Sequence, residues 1–70
     1  MHIEQLKPVF RDSAYWIPKD VACRRLGVTD LVLSRLRLRT IRERIDGQPV
    51  TLVNAADVRR AAQKSRANHN

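Results

Sequence analysis

The chain has 70 residues, enough for one small domain, and its 14 Lys and Arg against 7 Asp and Glu give a net charge of +7. Hydrophobic residues make up 43% of it, which allows a small core and argues against wholesale disorder. The single cysteine excludes an intramolecular disulfide, and the two histidines, His2 and His69, lie beside the termini. No apolar run approaches the ~18 residues of a membrane span. We therefore expect a cytoplasmic domain with no membrane contact, no metal or other cofactor, and no catalysis.

The positive charge comes mainly from arginine: 11 Arg stand against 3 Lys, and seven of the arginines lie between residues 24 and 44. The planar fork of arginine donors matches phosphate oxygens and the edge of guanine. Asp30 and Glu43 are the acids in that stretch and do not neutralise it. The excess favours a nucleic-acid partner over a merely solvated charged face. All three aromatics lie between residues 10 and 16, so the sequence lacks the spread stacking platform of single-strand readers.

The first 15 residues read as an irregular lead-in, because Pro8 interrupts a loose helical spacing of apolar residues. A first helix is predicted from Pro18 to Leu26 and ends at Gly27. Thr29 is the expected N-cap of a second helix from Asp30 to about residue 37. Two short helices are thus joined by a tight turn.

From Ile41 the apolar period becomes two, and Asp46-Gly47 is a strong signal for a two-residue hairpin loop. Counting from that loop pairs Ile45 with Gln48, Arg44 with Pro49, and Glu43 with Val50. The pattern assigns four apolar residues to an inner face: Ile41, Ile45, Val50 and Leu52. It assigns three residues to the outer face: Arg42, Arg44 and Thr51.

A last helix is predicted for residues 55–64 after an N-cap at Asn54. The chain then divides into a lead-in (1–15), a folded domain (16–64) and a frayed polar tail (65–70). The order helix, glycine turn, helix, arginine-bearing hairpin, helix predicts an α+β fold. Specifically, it predicts a small winged helix-turn-helix with three short helices plus a two-stranded hairpin wing.

Three short motifs carry a family resemblance: ACRRLGVT at residues 22–29, RIDG at 44–47 and NAADV at 54–58. The chain between Trp16 and Ala62 resembles the excisionase and MerR-like winged-helix group. One departure is the sequence RLRT at residues 37–40, where that group often has a glycine just after the recognition helix.

If Leu33 and Leu36 face the core, the second helix turns Thr29, Ser34 and Arg35 outward. Arg35 is then the candidate for a base contact in the major groove, and Ser34 reaches a base or a phosphate. Arg37 and Arg39 are expected to clamp phosphates. The outer face of the wing adds Arg42 and Arg44, and its tip brings Gln48 toward the minor groove. For Leu31 and Val32 three roles stay open: contact with a thymine methyl, a protomer interface, or partial burial.

The resemblance implies a sequence-specific double-stranded DNA-binding protein of the excisionase type, a recombination directionality factor. Such a protein binds and bends repeated sites, self-associates cooperatively on DNA, and promotes excision by an integrase of the tyrosine recombinase class. A small phage or plasmid transcription regulator uses the same contacts and is the first alternative. A protein–protein adaptor that keeps the fold without binding DNA is the second.

Overall fold

The computed structural model describes residues 8–67, which form a small α+β domain of four strands and three helices. The elements are β1 (Val9–Arg11), β2 (Ala14–Pro18), α1 (Lys19–Leu26), α2 (Asp30–Arg35), β3 (Thr40–Ile45), β4 (Gln48–Asn54) and α3 (Ala55–Ala67). The strands form one antiparallel sheet in the order β1-β2-β4-β3. The α+β class is confirmed, but the winged helix-turn-helix with a two-stranded hairpin is wrong. Strand β4 pairs with β2 as well as β3, so the hairpin is part of a four-stranded sheet.

The irregular lead-in predicted for the first 15 residues is corrected over its second half, where β1 and β2 form a hairpin. Phe10 pairs with Tyr15, and the turn residues Asp12 and Ser13 have φ angles of 53° and 61°. A two-residue turn with positive φ at both positions matches the right-handed twist of the strands, and aspartate tolerates that conformation. Residues 1–7 of the predicted lead-in lie outside the described part of the chain.

The three helices pack on one face of the sheet around a core of five buried residues. This core consists of Ile17, Ala22, Leu33, Val53 and Val58. The predicted end of α1 and the predicted start of α2 are both confirmed. Gly27 ends α1 in the left-handed conformation at φ 65°, and the Thr29 hydroxyl caps α2 by accepting from the Val32 N–H at 3.3 Å. α2 ends at Arg35, two residues earlier than predicted.

The opposite face of the sheet encloses a second small core made of Trp16, Pro18 and Leu52. The indole Nε1 of Trp16 donates to the Arg11 carbonyl at 2.9 Å, so its polar end is satisfied. The sheet curls over this core, and one side-chain ion pair links its two edge strands. Arg11 Nε on β1 lies 3.2 Å from Glu43 Oε2 on β3.

The predicted register of the β3–β4 hairpin is confirmed at all three pairs, from Ile45 with Gln48 to Glu43 with Val50. The four residues predicted for the inner face do share one face and are half-buried or buried, but the predicted outer face is corrected, because the helices cover it through Val53. The central strand is therefore buried on both sides between residues 52 and 54.

α3 starts at its predicted place, because the Asn54 amide oxygen accepts from the Asp57 N–H at 3.0 Å. The helix runs to Ala67, three residues past its predicted end, so the tail prediction is corrected over residues 65–67. Residues 68–70 of that tail lie outside the described part. None of the helices between residues 8 and 67 has the length and apolar character to cross a bilayer.

Candidate nucleic-acid interface

The outward face of α2 combines apolar and cationic side chains. Leu33 points into the core at 5% exposure, and Leu31 and Arg35, one helical turn apart, lie on the opposite side. Leu31 is 62% exposed and Val32 is 40% exposed. Partial burial, one of the three roles left open for these residues, is therefore not what the structure shows for Leu31. The face presents a leucine and an arginine side by side to the surroundings.

The chain leaves α2 through a strained residue. Leu36 is the C-cap, and the next residue, Arg37, has φ 58°, in the left-handed region that favours glycine. This is the position where the resembled family often carries glycine. The turn brings Leu38 back against the core and leaves Arg37 exposed at the surface.

Strand β3 places two arginines on the same side of the sheet as α2. Arg42 pairs with Thr51 and Arg44 with Pro49, and alternation along β3 and β4 puts all four on the face that carries Val53. Arg44 is oriented by its own hairpin, since its Nη1 donates to the Gly47 carbonyl at 3.1 Å.

Between α2 and this part of the sheet runs an open groove of about 590 Å³. Its helix wall includes Leu31 and Ser34, and its sheet wall includes Thr40 and Thr51. At one end Lys19 Nζ lies 3.1 Å from Asp30 Oδ1, so the nearest carboxylate is already neutralised. We call this feature, with the arginines that extend its two walls, the arginine groove. Its members are Leu31, Ser34 and Arg35 on the helix side and Thr40, Arg42, Arg44 and Thr51 on the sheet side.

Arg39, predicted to clamp phosphates, is bound to a carboxylate of its own chain. Its backbone N–H and Nε both donate to Asp57 Oδ2 at 3.0 Å, and its Nη2 donates to Oδ1 at 2.9 Å. Arg60 donates to the same Oδ1. We call these three residues the Asp57 cluster. Asp57 is 5% exposed, and its hydrogen bonds with Arg39 lower its pKa to about 2 against the opposing effect of burial.

The cluster also distinguishes the two neighbouring arginines of α3. Arg59 is exposed, whereas Arg60 belongs to the Asp57 cluster. Sequence reasoning missed Asp57 because its partner lies 18 residues away on another element. It placed Thr51 on the outer face with Arg42 and Arg44 but gave no binding role to the hydroxyls of Thr40 and Thr51, which line the groove.

The structure brings some of the predicted site residues together and not others. Arg35, Arg42 and Arg44 extend the arginine groove, and Ser34 lines it, with its Oγ donating to the Leu31 carbonyl at 2.8 Å. Gln48 is exposed at the first position of β4, next to the hairpin loop. The hydroxyl of Thr29 is engaged in the helix cap, and Arg39 in the Asp57 cluster.

A separate exposed feature lies on the β1–β2 hairpin. Phe10 and Tyr15 are 55% and 57% exposed, and their rings meet edge to face at a centroid distance of 5.0 Å. Of the three aromatic side chains, Trp16 alone is buried. These two rings form a single pair, whereas single-strand readers stack a run of successive bases on several rings.

The arginines of the groove differ from Arg11, Arg39 and Arg60, each of which contacts a carboxylate. Within residues 8–67, Arg35, Arg37, Arg42 and Arg44 have no carboxylate within salt-bridge distance. Their charge is therefore uncompensated in that part of the chain and available to an anionic partner. No family model and no curated protein matches this sequence, and no solved structure matches this fold.

Proposed function

We propose that this chain is a non-catalytic protein that binds double-stranded DNA through the arginine groove. The observation that carries the proposal is that both elements flanking the groove carry arginines with no carboxylate partner within residues 8–67. Arg35 lies on α2, whose Leu31 and Ser34 line the groove, and Arg42 and Arg44 lie on the sheet face whose Thr40 and Thr51 line its other side. A polyanionic strand between them would be contacted from both sides.

The chemistry of the groove favours a phosphate backbone over a protein partner. Arginine forks bind phosphate oxygens bidentately, and the Thr40 and Thr51 hydroxyls supply further donors at the floor. A short exposed helix fits the major groove, where the base edges differ from one another. We assign base contact to Arg35 and phosphate contact to Arg37, Arg42 and Arg44.

The proposal is tested by titrating a fluorescent 24-base-pair duplex of random sequence at several salt concentrations. Each neutralised phosphate contributes about −0.9 to the slope of log affinity against log salt. We expect Arg42→Ala to weaken binding and to make that slope shallower by about one. An unlabelled single strand of the same composition should compete poorly.

Arg59→Ala is the matched control, because it removes the same charge from an exposed position on α3. We expect it to leave the slope unchanged. Equal effects of the two substitutions would mean that net charge alone attracts DNA, and the groove assignment would be abandoned. Absence of duplex binding at the lowest salt would overturn the function and favour the adaptor.

We further propose that the chain acts as a recombination directionality factor, cooperating with a tyrosine-recombinase integrase. This finer role rests on the sequence resemblance of the RIDG and NAADV motifs. Footprinting on DNA around its own gene is the test. Several adjacent, cooperatively filled sites beside an integrase attachment site support the role, whereas protection restricted to a promoter supports a transcription regulator.

A further inference from the structure

Large exposed apolar side chains are concentrated on the shortest helix, in the most basic part of the chain. Of the five that are exposed within residues 8–67, Leu31 and Val32 belong to α2, and Leu36 is its C-cap. Exposed apolar side chains grouped in this way mark an interaction surface more often than isolated ones do. The question is which partner covers them.

A second copy of this chain fits the surface poorly. Leu31 lies one helical turn from Arg35, and Arg42 lies on the sheet face across the groove from them. Joining two such faces would bring uncompensated positive charges together, and like charges across an interface disfavour association. The partner should combine small apolar groups with a dense negative charge.

The major groove of DNA has this combination. Each thymine presents a C5-methyl group on the groove floor, and phosphates line both rims. On α2 an apolar side chain lies one helical turn from an arginine. On the groove floor a methyl group lies beside a base edge that accepts hydrogen bonds, so the two arrangements correspond. The outward position of Leu31 next to Arg35 is therefore suited to a thymine adjacent to a guanine.

We propose that Leu31 and Val32 are specificity residues that read thymine methyl groups in the major groove. This inference rests on the proposed DNA binding and adds the chemical feature that selects the site. Arg35 supplies the polar contact beside them, and Leu33 fixes the helix by anchoring its opposite side in the core. The two apolar residues carry no charge, so their contribution is independent of salt.

The test compares duplexes that differ by the methyl group alone. One pair is an alternating dA-dT 24-mer and its dA-dU counterpart, which lacks the methyl. The second pair is an alternating dG-dC 24-mer and its counterpart with 5-methylcytosine, which gains a methyl at the same C5 position. Removal should weaken binding about fourfold per contacting methyl, and addition should strengthen it by a similar factor.

Leu31→Ala should lower the sensitivity to the methyl in both pairs and leave the salt slope unchanged. Tyr15→Ala is the matched control, since it truncates an equally exposed side chain on the other hairpin and should keep the full methyl effect. Circular dichroism of both variants checks that the fold is retained.

Each outcome decides between the claims. If the unmodified protein binds the methylated and unmethylated duplexes with equal affinity, the proposed methyl recognition is overturned. The proposed DNA binding is then unaffected. An undiminished methyl effect in both Leu31→Ala and Val32→Ala also overturns it. A loss of self-association in Leu31→Ala, measured by sedimentation without DNA, assigns the surface to a second copy instead. Failure of every duplex to bind overturns the proposed function itself.

Discussion

The arginine groove and the Asp57 cluster use the same residue type from the same stretch of chain for different purposes. Arg35 and Arg39 are four residues apart in sequence. Arg39 is held by three hydrogen bonds to a buried carboxylate, and Arg35 is exposed with no carboxylate partner within residues 8–67. A count of positive charge therefore overstates a binding surface. Arginines that satisfy a buried acid stabilise the fold, and the uncompensated ones are available for a ligand.

The largest expected effect on stability comes from removing the carboxylate of the Asp57 cluster. Asp57→Asn keeps the shape but leaves the donors of Arg39 and Arg60 with a neutral acceptor, and one amide hydrogen faces them. Hydrogen bonds to charged groups contribute about 1.5–3 kcal/mol, so we expect the free energy of unfolding to fall by about 2 kcal/mol. Urea unfolding followed by the fluorescence of Trp16, the single tryptophan, measures it.

Asp46→Asn is the control for that substitution, because it makes the same chemical change at an exposed turn residue with φ 52°. Asparagine tolerates that conformation, and we expect less than about 0.5 kcal/mol. Equal losses in both variants would mean that Asp57 contributes no more to stability than a surface carboxylate.

Acid should act on the same cluster reversibly. The pKa of Asp57 is lowered from 3.8 to about 2 in the folded chain, so the unfolded chain binds a proton at a higher pH than the folded one. The stabilisation by this carboxylate is therefore complete above about pH 4 and is lost as pH falls toward about 2. Urea midpoints measured between pH 5 and 2 should fall less in Asp57→Asn than in the unmodified protein. Parallel curves would contradict this assignment.

A crossed pair of substitutions separates stability from binding. Arg35→Ala should reduce DNA affinity about tenfold, which is the range for loss of one bidentate base contact, and should leave the unfolding free energy nearly unchanged. Arg39→Ala should lower the free energy of unfolding, because the buried Asp57 carboxylate loses hydrogen-bond donors, and should reduce affinity less, at temperatures where both variants are folded. If both variants lose affinity and stability equally, the division between the two regions is wrong.

The smallest expected effect concerns Arg37, which belongs to the binding surface but has a backbone conformation that suits glycine. Arg37→Gly should raise the unfolding free energy by about 0.5–1 kcal/mol, because the left-handed conformation costs a side chain energy that glycine avoids. It should also weaken DNA binding slightly through the lost phosphate contact. Arg37→Ala is the control, since it removes the charge and keeps the strain. Thermal unfolding and the duplex titration measure the two properties.

The two hairpins show how far sequence reasoning reached. Asp46-Gly47 has the glycine that a tight two-residue loop prefers. The pairing of β3 with β4 could therefore be predicted by counting residues outward from that loop. The turn at Asp12-Ser13 adopts positive φ angles without a glycine, and its strand β1 is three residues long after a proline. A strand of three residues is too short to show an alternation of apolar and polar residues, and no turn signal marks its hairpin. The four-stranded sheet was missed for that reason.

The residue types of the candidate site could be predicted from the sequence, whereas the ion pairs of its arginines could not. The helix cap at Thr29 and the positions of Arg35, Arg42 and Arg44 follow from local patterns. The partner of Arg39 depends on how α3 packs against the α2–β3 connection, which no local pattern encodes. The exposure of a side chain likewise depends on tertiary packing. Leu31 is exposed because few elements cover α2, and no local pattern predicts that.

The burial of β4 on both faces has a consequence for how the domain unfolds. Leu52 belongs to the core under the curled sheet, and Val53 belongs to the core under the helices. Sliding this strand by one residue would exchange Leu52 and Val53 between the two cores and withdraw the Asn54 cap of α3. Neither core can therefore come apart while the other persists, and the 70-residue chain should melt in a single all-or-none transition despite having two small hydrophobic centres.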